Sequence, residues 1–347
     1  MSKSLSIPDL TAELETAPAG ARGLRCLKKS LRAAIQLEFA TIPPYLTAYW
    51  STIDPKNPNV PNPVGGTIRE IVVEEMGHMG LACNMLVALG ESPDLAAPGF
   101  VPKYPGPLPG KVNPDLEIPL RRLTPSQIKV FMDIEYPAFR PFPALAAARS
   151  FSTIGAFYAA LLKAFETVNP AHYETDKQRE EGISGVFKVK NMADVRTAID
   201  QIRHQGEGSD KSPTVGDPNE LAHFYRFREV YVGAKYVPDP ITKVFGHTGP
   251  PVLMPAVKPM ADIPKGGYRQ ADVSADVWKL VRQFDETFTL MLKQLTLAWS
   301  DPNAPFGDGT PKDPINTMGT LRSNALDLMK QKRPDNVSVY GPSFRLV

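Results

Sequence analysis

The sequence predicts an all-α protein, a helical bundle with long proline-rich connectors and additional helices towards the C-terminus. Apolar residues recur at alternating spacings of three and four along several long segments, which is the period of one helical face. No segment alternates apolar and polar residues for long enough to make a sheet the main element. Short strands are expected only around GVFKV (185–189) and within the proline-rich stretches. The 36 prolines mark helix boundaries, because proline removes a backbone donor and fixes φ.

The first long helix is predicted over roughly 24–50. Its apolar face is formed, in order, by Leu31, Ile35, Glu38, Ile42, Tyr45 and Tyr49. One acid therefore lies on an otherwise apolar face. Pro43 and Pro44 follow this acid closely, and we expect a kink or a local bulge there.

The second long helix is predicted over about 67–89 and ends before Gly90. Its apolar face is formed by Ile68, Ile71, Glu75, His78, Ala82, Met85 and Leu89. The acid and the imidazole lie one helical turn apart on this face. Glu74 lies about 100° further round the helix, where it is expected either in solvent or in support of a neighbouring ligand.

Six further helices are predicted. They fall in the segments 123–137, 153–168, 191–205, 219–233, 273–299 and 316–331. In the first of these, Thr124 is the expected N-cap, and Ile128, Met132 and Glu135 share one side.

Charge and cysteine content narrow the classes of function. The chain has 39 Lys+Arg against 37 Asp+Glu, a net charge of +2, and no dense basic run. Nothing therefore points to nucleic acid or to an anionic membrane, and a small-molecule partner is expected. No segment approaches a membrane span. Cys26 and Cys83 fall within helical apolar patterns and are expected as buried thiols, which favours a reducing, cytoplasmic location.

Glu38, Glu75 and His78 stand where a helical core needs apolar side chains. Charged side chains are almost never fully buried unless they are paired or bind a metal. The Glu-x-x-His spacing points two ligands the same way, and a glutamate of an antiparallel neighbour can meet them. Helical bundles build di-iron and di-manganese sites in this way. Such a pair is often solvated elsewhere, but its position on an unbroken apolar face favours a metal site.

Four sequence blocks resemble a known family. LEFATIPPYLTAYW, EEMGHMGLACNMLVALGESP, QGEG and HFYRF occur in this order between residues 31 and 230. They resemble the ferritin-like domain of the iminophenyl-pyruvate dimer synthases, enzymes of violacein and rebeccamycin biosynthesis. The resemblance implies a ferritin-like bundle over 20–235 that binds iron, as one ion or two, with manganese as the alternative. The segment 236–347 is then expected to pack on this bundle as one compact unit.

The resemblance also implies the ligands, which are Glu38, Glu75, His78, Glu207 and His223. The helical spacing of apolar residues supports Glu207 and His223 least. Glu207 sits at a glycine-flanked helix end, as a solvated turn residue would. His223 shares a face with Phe227 and Val230, as a core histidine would.

This chain departs from its relatives in one place. Relatives often carry an acid in the segment matching TIGAFY, where this chain has Ala156. Either Glu135 or Glu166 substitutes for that acid, or the site binds fewer metals or a different one. Glu135 is the sixth candidate ligand, with a capping or ion-pair role as its alternative.

The expected function is that of a non-haem iron or manganese enzyme of secondary metabolism. Its substrate is expected to be small and aromatic or derived from an amino acid, and the resemblance implies oxidative dimerisation of an imine. Tyr45 and Glu74 are the candidate catalytic residues, with core packing as the alternative for Tyr45. An oxygen-activating oxidase or oxygenase of another pathway, iron binding without catalysis, and a homo-oligomeric state stay open.

Overall fold

Helices make up almost all the regular structure in a computed structural model that describes residues 6–53, 62–137, 153–208, 212–215 and 220–347. Nine α-helices lie in these ranges: α1 (Ile7–Glu15), α2 (Ala21–Ser51), α3 (Pro63–Ala88), α4 (Pro125–Ile134), α5 (Ile154–Val168), α6 (Met192–Glu207), α7 (His223–Val232), α8 (Ala275–Ala298) and α9 (Pro314–Leu328). Single 3₁₀ turns occupy Pro109–Lys111 and Gln270–Asp272. Strands β1 (Val237–Pro238) and β2 (Phe245–Gly246) pair antiparallel. The predicted all-α class is confirmed, including the additional C-terminal helices.

Side-chain caps set most of the helix starts. The Thr124 hydroxyl accepts the backbone N–H of Gln127 at 3.1 Å, which begins α4 at the predicted residue. Thr153 and Asn191 cap α5 and α6 in the same way. At the other end of α3, Gly90 has a φ of 76°, the left-handed conformation that commonly follows a helix.

α2 runs without a break through Pro43 and Pro44, at the place where a kink or bulge was expected. Pro44 has no N–H to donate to the carbonyl of Ala40, four residues earlier. The hydroxyl of Tyr104 donates to that carbonyl instead, at 2.7 Å. The Thr47 hydroxyl donates to the carbonyl of Pro43, also at 2.7 Å. The Tyr104 hydroxyl therefore replaces the hydrogen bond that Pro44 cannot make.

α2 and α3 form the antiparallel pair at the centre of the fold. Asn62, before α3, donates to the Thr52 hydroxyl at the end of α2. At the far end, Arg32 of α2 pairs with Glu91, which follows α3. Around this pair, α1 packs on α2 and α5, α4 packs on α7, α6 contacts α3, and α8 packs on α9.

Asn84, fully buried in α3, joins this pair to later parts of the chain. Its Nδ2 donates to the carbonyls of Arg179 at 2.6 Å and Phe187 at 2.8 Å. Its Oδ1 accepts from the Arg179 N–H at 3.0 Å and from the indole of Trp299 at 2.9 Å. Residue 299 directly follows α8, so one side chain links the central pair to the C-terminal helices. That 236–347 and the bundle form one compact unit stays a prediction.

One expectation about secondary structure was wrong, and one helix was not predicted. The segment 185–189 is irregular rather than a strand. Side chains satisfy its backbone, because the Gln178 amide exchanges hydrogen bonds with both the N–H and the carbonyl of Val189. The second difference is α1, which was not predicted. Its signals are the Ser6 cap, which accepts from Asp9 N–H, and a short buried face of Ile7, Leu10 and Leu14.

Two further expectations concern burial. Cys26 and Cys83 are free thiols and buried, as predicted. No segment was expected to approach a membrane span, but α3, alone among the described helices, is long and apolar enough to cross one by length and composition. Of its most apolar window, 83% is buried inside the fold, which is typical of the core helix of a bundle.

Candidate metal centre

α2 and α3 bring the first three candidate ligands together. Glu38, Glu75 and His78 are 5%, 2% and 1% exposed. The Nδ1 of His78 lies 3.6 Å from Oε2 of Glu38 and 3.5 Å from Oε1 of Glu75. One ligand atom of each residue lies within 4.8 Å of the other two, a spacing that a single ion can bridge. The periodicity of the two helices predicted this meeting.

A second group of three shares Glu75 with the first. Glu135 directly follows α4, and His223 is the first residue of α7. The Nδ1 of His223 lies 2.9 Å from Oε1 of Glu75 and 3.7 Å from Oε2 of Glu135. The two histidine rings lie 5.6 Å apart, centroid to centroid. Glu75 therefore stands between two adjacent sets of ligand atoms.

Outer hydrogen bonds turn the Nδ1 atom of each histidine inwards. The Nε2–H of His78 donates to Oε1 of Gln205 at 2.8 Å. The Nε2–H of His223 donates to Oε2 of Glu74 at 2.6 Å. Such bonds fix the orientation of histidines that ligate metals. The buried Nδ1 of His223 has no hydrogen bond of adequate geometry, so a cation between the carboxylates would supply its missing partner.

Each candidate carboxylate is held by one hydroxyl. Tyr158 donates to Oε1 of Glu38 at 2.6 Å, and Thr41 donates to Oε2 of Glu75 at 2.8 Å. Tyr45 donates to Oε1 of Glu135 at 2.5 Å. In all three cases the other carboxylate oxygen is the one that faces a histidine. One oxygen of each acid is thus fixed and the other is directed at the ligand cluster.

Comparison with known proteins shows the family to which this chain belongs. A family model described as ferritin-like matches residues 31–232, more than half of the chain. The chain belongs to the ferritin-like family. A crystal structure of a ferritin-like protein from Caulobacter vibrioides has a similar fold, with a TM-score of 0.62. The two chains are 23% identical, and the match covers 95% of this chain and 100% of that one. A comparison with curated proteins gives no match.

Charge balance in this ferritin-like centre favours a bound cation. Burial raises the pKa of Glu38, and neighbouring Glu75 raises it further. The pKa of Glu135 is raised for the same two reasons. Burial also opposes protonation of His78, but the nearby carboxylates of Glu38 and Glu75 outweigh it and raise its pKa to about 10. Without a metal, the cluster therefore holds protons to balance its acids.

The donor set fits iron or manganese. Carboxylate and imidazole ligands suit both ions, and each of the two groups combines two carboxylates with one imidazole. Ferritin-like bundles hold such ions between facing helices. The cavity among these residues has a volume of about 20 Å³, which is room for roughly one water-sized molecule.

Two acids could substitute for the one missing at Ala156, and the structure places them differently. Glu135 lies in the centre, whereas Glu166 lies on the surface of α5, where Arg196 donates to it at 2.6 Å. Glu207 belongs to neither group of three, although it borders the same cavity. Its carboxylate accepts the backbone N–H of Gly155 at 2.8 Å. A Cβ at position 155 would come within 2.2 Å of Oε2 of Glu207, so the glycine makes room for this contact.

Tyr45 and Glu74, the two candidate catalytic residues, each form a hydrogen bond to a candidate ligand. Tyr45 is fully buried and its hydroxyl is bonded to Glu135. Glu74 bonds His223 and also accepts from Arg226 at 2.8 and 3.0 Å.

Sequence reasoning did not single out Thr41 or Gln205. Thr41 was detectable, because a hydroxyl three residues after Glu38 falls on nearly the same face of α2. Gln205 lies within the QGEG block, but nothing local indicates that its side chain reaches His78.

Proposed function

We propose that this ferritin-like protein is a metal-dependent oxidoreductase that binds two ions of iron, or of manganese, and oxidises a small organic substrate. The observation that carries the proposal is that Glu75 belongs to two groups of ligand atoms. One group is completed by Glu38 and His78 and the other by Glu135 and His223. A carboxylate between two such groups is what a dinuclear centre requires.

Each part of the centre has a defined task in this proposal. When bound, iron or manganese supplies the one-electron and dioxygen chemistry that protein side chains lack. The chain supplies a dry site, since the five ligands are at most 6% exposed. Tyr45 and Glu74 then act as positioning residues, because each holds a ligand by a hydrogen bond. Burial and the nearby acids raise the pKa of Tyr45 well above its usual value, so its phenol keeps its proton at neutral pH.

The position of Arg203 favours a substrate that carries a carboxylate. Its side chain borders the small cavity together with Glu38, Glu75 and Glu135. Its Nε is buried and has no hydrogen-bond partner, although four acids border the same cavity. A substrate carboxylate at the cavity edge would give this guanidinium a partner of matching geometry.

The resemblance to the iminophenyl-pyruvate dimer synthases supports a more specific substrate, an aromatic 2-imino acid. Such a molecule carries the carboxylate that Arg203 can bind. An aromatic ring does not fit a cavity of about 20 Å³. We therefore propose that the substrate binds at the edge bordered by Arg203, Gly155 and Glu207, while the cavity admits only a molecule the size of water or dioxygen.

The test combines metal content with turnover. Protein reconstituted with Fe(II) is supplied with dioxygen and with imino acids made in situ from tryptophan or phenylalanine by an amino-acid oxidase. Iron-dependent formation of a coupled or oxidised product is expected in the wild type and in Glu166→Ala, and its loss is expected in Glu75→Ala. Arg203→Gln is expected to raise KM more than it lowers kcat.

Two other functions have distinct outcomes in this test. An oxidase of another pathway would consume dioxygen with a different small substrate and would make no product from imino acids. Iron storage would take up many ions per chain and elute as a very large spherical assembly in size-exclusion chromatography. The same chromatography measures whether the protein is a homo-oligomer. We place the enzyme in the cytoplasm, because both cysteines are free and buried.

A further inference from the structure

A second and much larger cavity lies between α2, α3, α8 and α9. Its volume is about 460 Å³, within the range of roughly 300–1,000 Å³ that is typical of small-molecule sites. Its walls are mainly apolar. They include Phe39, Leu46, Met76, Phe288, Met291 and Met318.

This apolar cavity is separate from the candidate metal centre. None of its described lining residues borders the small cavity at the ligands. α2 turns Glu38 towards the metal centre and Phe39 towards the apolar cavity, and α3 divides Glu75 and Met76 in the same way. An occupant of the apolar cavity would therefore touch neither group of candidate ligands.

Two arginines give the cavity a charge. Arg69 of α3 and Arg322 of α9 line it, and no acidic residue does so among the described residues. Neither arginine makes a hydrogen bond or an ion pair within the described part of the chain, whereas Arg226 and Arg345 are both paired. Both guanidinium-bearing residues are exposed, which puts the positive charge at the open rim.

We propose that this cavity binds a fatty acid, with the alkyl chain inside and the carboxylate on Arg69 and Arg322. Guanidinium groups recognise carboxylates by paired hydrogen bonds. Met76, Met79, Met291 and Met318 line the interior. Methionine side chains are unbranched and adaptable, so they fit a flexible alkyl chain of variable length. The inference does not depend on the metal centre.

Isothermal titration calorimetry with dodecanoate, below the concentration at which it forms micelles, tests the proposal. One dodecanoate per chain is expected to bind. Dodecanol has the same chain without the charge, and dodecyltrimethylammonium has the opposite charge. Both are expected to bind at least tenfold more weakly. The double variant Arg69→Gln/Arg322→Gln is expected to lose tenfold or more in affinity for dodecanoate and to bind dodecanol as before. Arg22→Gln, an exposed arginine outside the cavity, is the matched control.

Gly319 offers a variant that blocks the cavity and still folds. It is a helical residue of the lining, and a Cβ built on it meets no atom within 4 Å. Gly319→Leu places a side chain in the rim and favours helix formation, because glycine is a poor helix former. The variant is expected to lose binding of dodecanoate and of dodecanol, with an unchanged or higher Tm. Thr320→Leu makes a similar addition on the same helix outside the lining and is expected to bind as the wild type does.

Several outcomes would overturn the proposal. They are absence of dodecanoate binding, equal binding of the three alkyl compounds, and full dodecanoate affinity in folded Gly319→Leu. Metal content measured on the same samples is expected to be equal in all these variants. A failure of the metal proposal would then appear as a lack of metal in every sample, whatever the binding of dodecanoate.

Discussion

The hydrogen bond between Glu74 and His223 should control the affinity of one metal ion and leave the other nearly unchanged. Glu74 accepts the Nε2–H of His223 at 2.6 Å and lies outside both groups of candidate ligands. The substitution Glu74→Gln keeps an acceptor oxygen and the side-chain size, but it removes the negative charge. Glu135 and His223 would then hold their ion with an imidazole that is less basic and less firmly oriented.

The size of the effect follows from this contact. Loss of an outer partner of a metal-binding histidine typically weakens metal affinity about 10- to 100-fold, which is about 1.4–2.8 kcal/mol because each tenfold step is about 1.4 kcal/mol. The ion at Glu38 and His78 should be affected far less, because Gln205 and not Glu74 orients His78. The two binding steps should therefore lie further apart in Glu74→Gln than in the wild type.

Titration of metal-free protein with Co(II), followed by its visible absorption, measures the two steps. Glu70→Gln is the matched control, because Glu70 also pairs with Arg226, at 2.8 Å, but is not bonded to His223. It should bind both ions like the wild type. Equal losses in Glu70→Gln and Glu74→Gln, or no loss in Glu74→Gln, would refute the reasoning.

Three further predictions concern protons and stability. Burial opposes protonation of His78, but the nearby carboxylates of Glu38 and Glu75 outweigh it and raise its pKa to about 10. Its Nδ1 therefore carries a proton at neutral pH that a metal must displace. Calorimetry in buffers of different ionisation enthalpy should show at least one proton released, and apparent affinity should rise with pH. If metal binding releases no proton, this prediction is contradicted. Asn84→Ala removes the partner of the buried Trp299 indole and of three partly buried backbone groups. At about 1–3 kcal/mol for each group left unsatisfied, urea unfolding should show a loss of about 3 kcal/mol or more. Asn303→Ala, at an exposed position, should cost almost nothing. Thermal unfolding should be a single transition, because Trp299 ties the C-terminal helices to α3; a separate early transition would argue for two units.

The part of the site that the sequence could predict lies within long helices. Glu38 on α2 and the pair Glu75 and His78 on α3 interrupt apolar faces, and the helical period alone places all three side chains towards a common interior. The energetic cost of burying them then points to a cation. Both steps use only local spacing and elementary electrostatics, and they are sufficient to bring together the first group of candidate ligands.

The sequence predicts the direction of side chains at helix ends much less well. Glu135 directly follows α4 and His223 begins α7, so neither lies inside a run long enough to establish a face. Family resemblance named His223 and Glu207 alike. The structure nevertheless brings only His223 into a group of three and leaves Glu207 bonded to Gly155. Which way a side chain turns at a helix end depends on neighbours that lie far away in sequence.

Features that arise from packing between distant segments could not be predicted. The apolar cavity combines residues of α2 and α3 with residues of α8 and α9, more than 200 positions later. The irregular backbone of 185–189 is held by the Asn84 and Gln178 side chains, whereas its β-branched and aromatic residues favour a strand in isolation. In both cases tertiary contacts outweigh local preference.

Anomalous scattering at the iron edge, from crystals of the iron-loaded protein, tests the central claim most directly. Two peaks are expected on either side of the Glu75 carboxylate, one beside Nδ1 of His78 and one beside Nδ1 of His223. Crystals of Glu75→Ala treated in the same way should show neither peak at full height. An iron-loaded wild type with no peak between these side chains, or with iron bound only elsewhere on the protein, would contradict the account.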